Sequence, residues 1–308
     1  MRFGIVTVIL LVGACQEIQV PVGPTPGRPR FDGEAALELV RTQVAFGPRV
    51  PGTEAHLQQL DWMVARLSAL APEVSVDTFS HVTVAGDSLE LFNVSARFRP
   101  EATRRILLLA HWDTRPQSDR AADVERQTIP VPGANDGGSG TAVLLQLAEL
   151  LAGAAPPMGV DLLFVDGEDY GPGIEDMLLG ARRYASTLEE LDARPVYGLL
   201  LDMVGDADPS FPVEGYSAQA ANVVVQKVLR AAERLGYRDY FPTRVGESVM
   251  DDHVPLIEAG LPTANLIDWE YGPSNRYWHT PEDTPDRLSA AALGMVGEVV
   301  TELIYSGG

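Results

Sequence analysis

Five side chains of metal-ligand type are spread along the chain: His111, Asp136, Asp169, Asp202 and His279. Three of them stand at or just after the ends of apolar, strand-like runs. His111 follows the run 106–110, Asp169 follows 160–165, and Asp202 follows 197–201. In an open α/β sheet, ligands bind at the carboxyl ends of the strands. Imidazoles and carboxylates together suit Zn²⁺ or a zinc pair, so the pattern predicts a metallo-hydrolase-like site.

The sequence neighbours of Glu168 and Asp169 indicate a different environment from those of Asp202. Glu168 and Asp169 are adjacent and repel each other unless a cation or a proton lies between them. This suits a division of labour, in which one carboxylate binds metal and the other keeps a raised pKa and transfers protons. Alone, the pair would indicate a solvated acidic turn. Asp202 is flanked by apolar residues on both sides, which predicts burial, and a buried carboxylate must be paired or metal-bound.

Three further candidates are Asp136, in a glycine-rich segment, and the closely spaced pair His111 and Asp113. Asp136 lies among the glycines of the segment 133–140, before a predicted helix. It is either a turn or helix-capping aspartate, or a ligand that the glycines allow to approach a metal closely. His111 and Asp113 are separated by one residue, so in an extended chain both point the same way. One can then bind metal while the other orients a neighbouring ligand.

The remaining candidates concern the pocket around the metal. His279 follows Trp278, and aromatic side chains beside a ligand exclude water and shape a small pocket. Trp269 is a second candidate for the pocket wall. The run 251–253, Asp-Asp-His, is a second acidic cluster, or else it caps the following helix. His56 and His81 have no such neighbours, and we expect both at the surface.

Apolar periodicity predicts the elements that position these residues. Helices are expected over 32–44 and 54–70, the second with Leu57, Leu60, Val64 and Leu67 on one face, followed by a hairpin of strands at 74–84 and 89–98. Strands at 106–110, 160–165, 197–204 and 263–267 then alternate with helices at 140–151, 178–187, 218–235 and 289–305. Such alternation implies a mixed, mostly parallel sheet covered by helices on both faces. The fold class is therefore α/β, with one globular domain over residues 32–308.

Composition limits the possible partners. The chain has 308 residues, 45% of them hydrophobic, enough for one large domain with a buried core. It carries 23 Lys and Arg against 43 Asp and Glu, a net charge of −20. This charge argues against nucleic acid or an anionic membrane surface as partner. We expect a monomer.

The amino terminus is expected to be a targeting segment. Residues 1–15 combine Arg2, an apolar stretch and the ending Val-Gly-Ala-Cys, which resembles a bacterial lipobox. Cys15 is the only cysteine and cannot form an internal disulfide. Acylation of Cys15 explains this residue, and a plain signal peptide is the alternative. Residues 16–31 are rich in proline and are expected to form a stiff tether. The predicted protein is an exported lipoprotein on the periplasmic, cell-envelope face, anchored only through Cys15.

These motifs, in this order and spacing, resemble the zinc aminopeptidase superfamily (metallopeptidase family 28) over residues 32–305. The resemblance implies a zinc aminopeptidase-like α/β/α sandwich. It also implies that the five residues above correspond to the ligands of the two-zinc peptidases, with Glu168 as the general base.

Within the superfamily the chain is most similar to the bacterial form of the animal-type glutaminyl cyclases. Asp251 stands where the peptidases usually have serine, Trp278 precedes the ligand histidine, and the runs 111–116 and 168–171 look like the bacterial branch. The resemblance implies one zinc, held by Asp136, Asp169 and His279, with His111 and Asp202 persisting as second-metal positions. It implies substrates with an amino-terminal glutamine, converted to pyroglutamate with release of ammonia. Glu168 would transfer the proton, aided by Asp251 and Asp202.

The sequence also departs from this pattern. Animal cyclases have a pocket histidine where Asn265 stands here, and a tryptophan in the loop after the Glu168-Asp169 pair, which this chain lacks. Asn265, Trp269 and Trp278 are the expected pocket residues. Two alternatives remain open: an aminopeptidase that uses the same ligands plus a second zinc, and a non-catalytic binding protein that keeps the fold.

Overall fold

A mixed sheet of six strands forms the centre of the protein, whose computed structural model describes residues 23–308. The strands are β1 (Glu73–Val82), β2 (Ser88–Phe98), β3 (Arg105–His111), β4 (Gly159–Val165), β5 (Gly198–Asp202) and β6 (Thr263–Ile267). They lie in the order β1-β2-β4-β3-β5-β6. β4, β3, β5 and β6 run parallel, and the β1–β2 hairpin adds antiparallel strands at one edge. The predicted α/β fold class is confirmed.

Helices cover both faces of the sheet. They are α1 (Gly33–Ala45), α2 (Glu54–Ser68), α3 (Gly138–Gly153), α4 (Leu179–Thr187), α5 (Gly215–Ala220), α6 (Asn222–Leu235), α7 (His253–Glu258) and α8 (Ala290–Tyr305). Alternate residues of β3 point to opposite faces. Ile106 and Leu108 pack in the cluster with α1, α3, α6 and α8, and Leu107 and Leu109 pack in the cluster with α4 and α7. Because both faces are buried, the parallel strands read as continuous apolar runs.

Helix α3 lies unusually close to the sheet at its amino end. A Cβ atom at Gly140 would lie 2.0 Å from the carbonyl oxygen of Leu201 and 3.0 Å from the Cβ of Ala110. Only glycine permits this approach, because any side chain would overlap the strand backbone. The contact brings the loop before α3 against the carboxyl ends of β3 and β5.

In two predicted elements the backbone leaves its regular conformation earlier than expected. The helix expected over 218–235 is divided into α5 and α6, because Ala221 has φ −130° and ψ 28°, which is not helical. The strand expected over 197–204 ends at Asp202, because Met203 adopts a left-handed φ of 46°. The chain therefore turns away directly after Asp202, which leaves this carboxylate at the sheet edge.

The amino-terminal segment is attached to α8. The backbone and side chain of Thr25 both donate to the Glu302 carboxylate at 2.8 Å, and the Phe31 amide donates to Glu298 at 2.9 Å. Arg28 forms ion pairs with both glutamates. Residues 23–31, which belong to the predicted tether, thus make these contacts with α8.

The predicted signal segment 1–15 and the tether residues 16–22 lie outside the described residues. Within residues 23–308, no helix is both long enough and apolar enough to cross a membrane.

Candidate metal centre

The carboxyl ends of neighbouring parallel strands bring the predicted ligands together. His111 is the last residue of β3, Asp202 is the last residue of β5, and Asp169 follows β4. Since β4, β3 and β5 are adjacent, these side chains meet at one edge. Asp136 arrives from the loop before α3, and His279 from the loop between β6 and α8.

The five side chains form two groups that share Asp136. One group is Asp136, Asp169 and His279, and the other is His111, Asp136 and Asp202; the ligand atoms of each group lie within 4.8 Å of one another. His279 Nε2 lies 3.4 Å from Asp136 Oδ2 and 3.2 Å from Asp169 Oδ2. His111 Nε2 lies 3.2 Å from Asp136 Oδ1 and also 3.2 Å from Asp202 Oδ1. Asp136 therefore offers one oxygen to each group.

The donor set fits zinc. Each group combines one imidazole nitrogen with carboxylate oxygens, and three protein ligands leave a fourth tetrahedral position open, as in catalytic zinc sites. Both groups contain three ligand side chains, so the geometry by itself accommodates one or two ions.

Crowded carboxylates dominate the electrostatics of the centre. Burial alone would lower the pKa of His111 and of His279, but the surrounding aspartates raise both well above the ordinary value. Burial acts to raise the pKa of Asp136, yet hydrogen bonds with the two histidines hold it well below its usual range. A divalent cation would neutralise this concentration of negative charge.

Glu168 is held beside the ligands by its backbone. Its amide donates to Asp113 Oδ1 at 3.1 Å, while the Asp169 amide donates to Asp113 Oδ2 at 3.2 Å. Asp113 therefore fixes the Glu168-Asp169 pair. The Glu168 carboxylate lies 4.0 Å from His111 Nδ1. Burial first, and then the negative charge of Asp169, raise the pKa of Glu168 well above its ordinary value. An upward shift of this kind suits a group that transfers protons.

Asp251 adds a further carboxyl to the same cavity. Burial, followed by the charge of Asp202, raises the pKa of Asp251 to about 7. Its Oδ2 accepts a hydrogen bond of 2.6 Å from Asn265 Nδ2. Asn265 on β6 is buried behind Asp251, and the cavity wall does not include it. Direct contact between Asn265 and a substrate stays a prediction.

A cavity of about 300 Å³ opens over the metal ligands and Glu168. Trp269 and Trp278 line it together, with ring centroids 4.8 Å apart. Trp278 also stacks on the His279 imidazole at 4.0 Å. Met177, Val249 and Met250 complete the apolar part of the wall. The reactive groups thus lie in a small recess with an aromatic side.

Comparison with known proteins agrees with this geometry. The family model described as Peptidase family M28 matches residues 93–304, which include every residue of the centre. The chain belongs to peptidase family M28. The resemblance to the zinc aminopeptidase superfamily is confirmed.

Relatives within the family carry two kinds of name. The glutaminyl-peptide cyclotransferase of Drosophila melanogaster is 30% identical over 285 residues, 82% of this chain and 75% of that protein. Aminopeptidase YwaD of Bacillus subtilis is 32% identical over 206 residues, 65% of this chain but 40% of that protein. The crystal structure of a Bacteroides thetaiotaomicron glutaminyl cyclase bound to N-acetylhistamine has a TM-score of 0.87 and 34% identity. The match covers 91% of this chain and 100% of the cyclase chain.

His56 and His81, both predicted at the surface, each contact an aspartate carboxylate. His56 is fully buried, so the surface prediction is wrong for this residue. Its Nε2 lies 3.0 and 2.9 Å from the oxygens of Asp166, and its ring stacks on Trp112 at 4.4 Å. This pair fixes the chain just before Glu168. His81 is half-buried and pairs with Asp176 at 2.7 Å.

Other residues around the centre were not indicated by the sequence. Asp283 is fully buried and accepts the amides of Asn135 at 2.8 Å and Asp136 at 3.2 Å, together with the Tyr271 hydroxyl at 2.8 Å. It therefore fixes the backbone of the shared ligand. Asp119 lies 3.3 Å from His279 Nδ1. Neither residue ends a strand or forms a recognisable motif, so only tertiary structure shows its position.

Proposed function

We propose that the protein is a zinc-dependent glutaminyl-peptide cyclotransferase that converts an amino-terminal glutamine of peptides to pyroglutamate and releases ammonia. The observation that carries this proposal is one cavity in which Glu168 and Asp251 face the group Asp136, Asp169 and His279. The similarity to solved glutaminyl cyclases over their full length supports it. An acidic residue at position 251 distinguishes the site from the serine that the peptidases usually carry.

The residues of the chain divide the work of cyclisation. Asp136, Asp169 and His279 would hold the zinc, which as a Lewis acid would polarise the side-chain amide carbonyl. Glu168 removes a proton from the α-amine as this nitrogen forms a bond to the amide carbon. Glu168 then delivers the proton to the amide nitrogen, the carbon–nitrogen bond breaks, and ammonia leaves. The tryptophan side of the cavity keeps water from the amide.

The second candidate function is an aminopeptidase. One observation favours it: the group of His111, Asp136 and Asp202 is also complete, so a second zinc has ligands available. In that reaction Glu168 would activate a water molecule that attacks a peptide bond. A cyclase needs no water as nucleophile, so one ion is sufficient.

Zinc stoichiometry and a paired activity assay separate the two functions. Purified protein should hold one tightly bound zinc, and it should release ammonia from Gln-peptides while leaving leucine amide intact. Asp169→Asn is the control for metal dependence. It removes one ligand oxygen at nearly constant volume and should lower zinc affinity. Two tightly held zincs, with hydrolysis of leucine amide following the second, would establish the aminopeptidase instead.

We also propose that the protein is exported and anchored through an acylated Cys15 on the periplasmic, cell-envelope face. The support is the sequence of residues 1–15, whose last residue is the only cysteine of the chain. Acyl chains contribute about 0.8 kcal/mol per buried CH₂ group. Cys15→Ser should therefore move the protein from the membrane fraction or stall its processing. A native protein found in the cytosol with Met1 intact would contradict the proposal.

A further inference from the structure

Residues 115–120, which we call the latch segment, contact two ligands of the proposed zinc, Asp169 and His279. Each contact is made to the ligand atom that faces away from the ligand group. Arg115 Nη1 donates to Asp169 Oδ1 at 2.5 Å, while Asp169 Oδ2 faces His279. Arg115 Nε and Nη2 donate to Asp119 Oδ2 at 3.1 and 2.7 Å. Asp119 Oδ1 then lies 3.3 Å from His279 Nδ1, while His279 Nε2 faces the ligand group. One chain of charged contacts thus joins the two ligands.

The latch segment also holds the backbone of the ligand loop. His279 has a left-handed φ of 54°, which is uncommon for a residue other than glycine and persists only where surrounding contacts enforce it. The Arg120 amide donates to the His279 carbonyl at 3.2 Å, and the Arg120 guanidinium lies 5.0 Å from the centre of the Trp278 ring. The latch segment therefore touches the side chain and backbone of His279 and the ring beside it.

The latch segment is itself fixed to the domain. The Val131 amide donates to the Arg115 carbonyl at 3.0 Å, and the Ser118 amide donates to the Ile129 carbonyl at 2.8 Å. Gly171 packs so closely on Arg115 that a Cβ there would lie 2.8 Å from the guanidinium. Contacts on both sides leave Arg115 little freedom, so it can transmit a defined position to Asp169.

We infer that Asp119 and Arg115 are positioning residues for the metal site, which orient His279 and Asp169 toward one shared ion. A carboxylate on the outer nitrogen of a ligand histidine fixes the tautomer and the ring orientation and makes the imidazole a stronger donor. The contact of Arg115 with one oxygen of Asp169 leaves the other oxygen for the ion. This inference rests on the zinc site of the proposed function.

Zinc affinity is the measurement that tests the inference. Asp119→Ala should weaken zinc binding by about 10- to 100-fold in competition with a chelator, the usual effect of removing such a partner. Asp119→Asn keeps an oxygen that can accept from Nδ1 and should lose less. The visible absorption of the cobalt(II) form should change in Asp119→Ala, because it reports the geometry of the ligands. The unfolding temperature of the metal-free protein should change by less than about 3 °C.

Asp123→Asn is the matched control. Asp123 lies in the same loop and caps the short helix Val124–Thr128; asparagine is an equally good cap, so the charge changes without a change at the ligands. Zinc affinity should stay at the level of the unmodified chain. If Asp119→Ala also binds zinc within about twofold of that level, against the expected effect of such a partner, the inference is overturned while the zinc site stands. If the unmodified chain binds no zinc, the proposed function fails first.

Discussion

Replacing Glu168 by glutamine tests the central step of the proposed reaction. Among the described residues, no hydrogen bond holds the Glu168 carboxylate. The backbone of Glu168 is fixed, because its amide donates to Asp113 and its carbonyl accepts from the Leu178 amide. Glutamine has nearly the same shape and removes a buried acid whose neighbours include Asp169, Asp251 and Asp252. We therefore expect the fold and the zinc content to be unchanged, with an unfolding temperature no lower than that of the unmodified protein.

Cyclisation activity, unlike the fold and the zinc content, should fall in Glu168→Gln. General acid–base catalysis contributes about 10²- to 10⁴-fold, equivalent to about 3–5 kcal/mol of transition-state stabilisation. Ammonia release from a Gln-peptide should fall by that factor in kcat, because the amine keeps its proton and the leaving nitrogen gains none. The assay is run at matched zinc occupancy, so that loss of metal cannot imitate loss of the proton carrier. Full turnover by Glu168→Gln would refute the reasoning, whatever the zinc count.

Two further substitutions test neighbouring features. Asp251→Ser installs the residue typical of the peptidases, and it should reduce ammonia release by at least about 10²-fold while chelator competition shows unchanged zinc affinity; equal loss of both would mean that Asp251 supports the metal instead. Gly140→Ala should destabilise the protein by at least about 1–3 kcal/mol in denaturant unfolding, because its Cβ would lie 2.0 Å from the Leu201 carbonyl oxygen. Gly153→Ala, at the open end of the same helix, is the control and should be neutral or stabilising.

The sequence predicts most of the sheet because its buried strands are continuous apolar runs between turn residues. β6 has the predicted bounds, and β3 and β4 extend them by one or two residues. Once the strands are known to be parallel, residues that end them must share one edge, so the assembly of His111, Asp169 and Asp202 follows from local pattern and chain order.

Helix α2 shows where local pattern is insufficient. The sequence predicts an apolar face that includes Leu57, yet Leu57 is 46% exposed, and the polar residues His56 and Gln59 are fully buried. Gln59 donates to Gln43 on α1 at 3.0 Å, and His56 contacts Asp166 after β4. Polar residues can be buried when distant partners satisfy them. Leu60, Val64 and Leu67 do pack in or against the core, as predicted. Periodicity misplaced Leu57 and missed the buried polar residues, because their partners are known only from the tertiary structure.

The contacts of Asp119 and Asp283 with the metal centre were inaccessible to sequence analysis for the same reason. Asp119 is 160 residues from His279 along the chain, and Asp283 is 147 residues from Asp136. Neither contact has a local signature. The ligands themselves could be predicted, because they stand in motifs or at strand ends, but the residues that orient them could not.

The docked segment 23–31 fixes the side of the domain at which the proposed tether begins. Thr25 meets α8 at Glu302, and Arg104, just before β3, holds the carbonyls of Gly307 and Gly308 after the same helix. This end therefore lies at the amino edge of the sheet, about 20 Å along β3 from His111. The eight residue-to-residue steps from Cys15 to Gly23 span at most about 28 Å. If Cys15 carries the proposed lipid, the tether would meet the domain at its amino edge, on the side of the sheet opposite the cavity mouth.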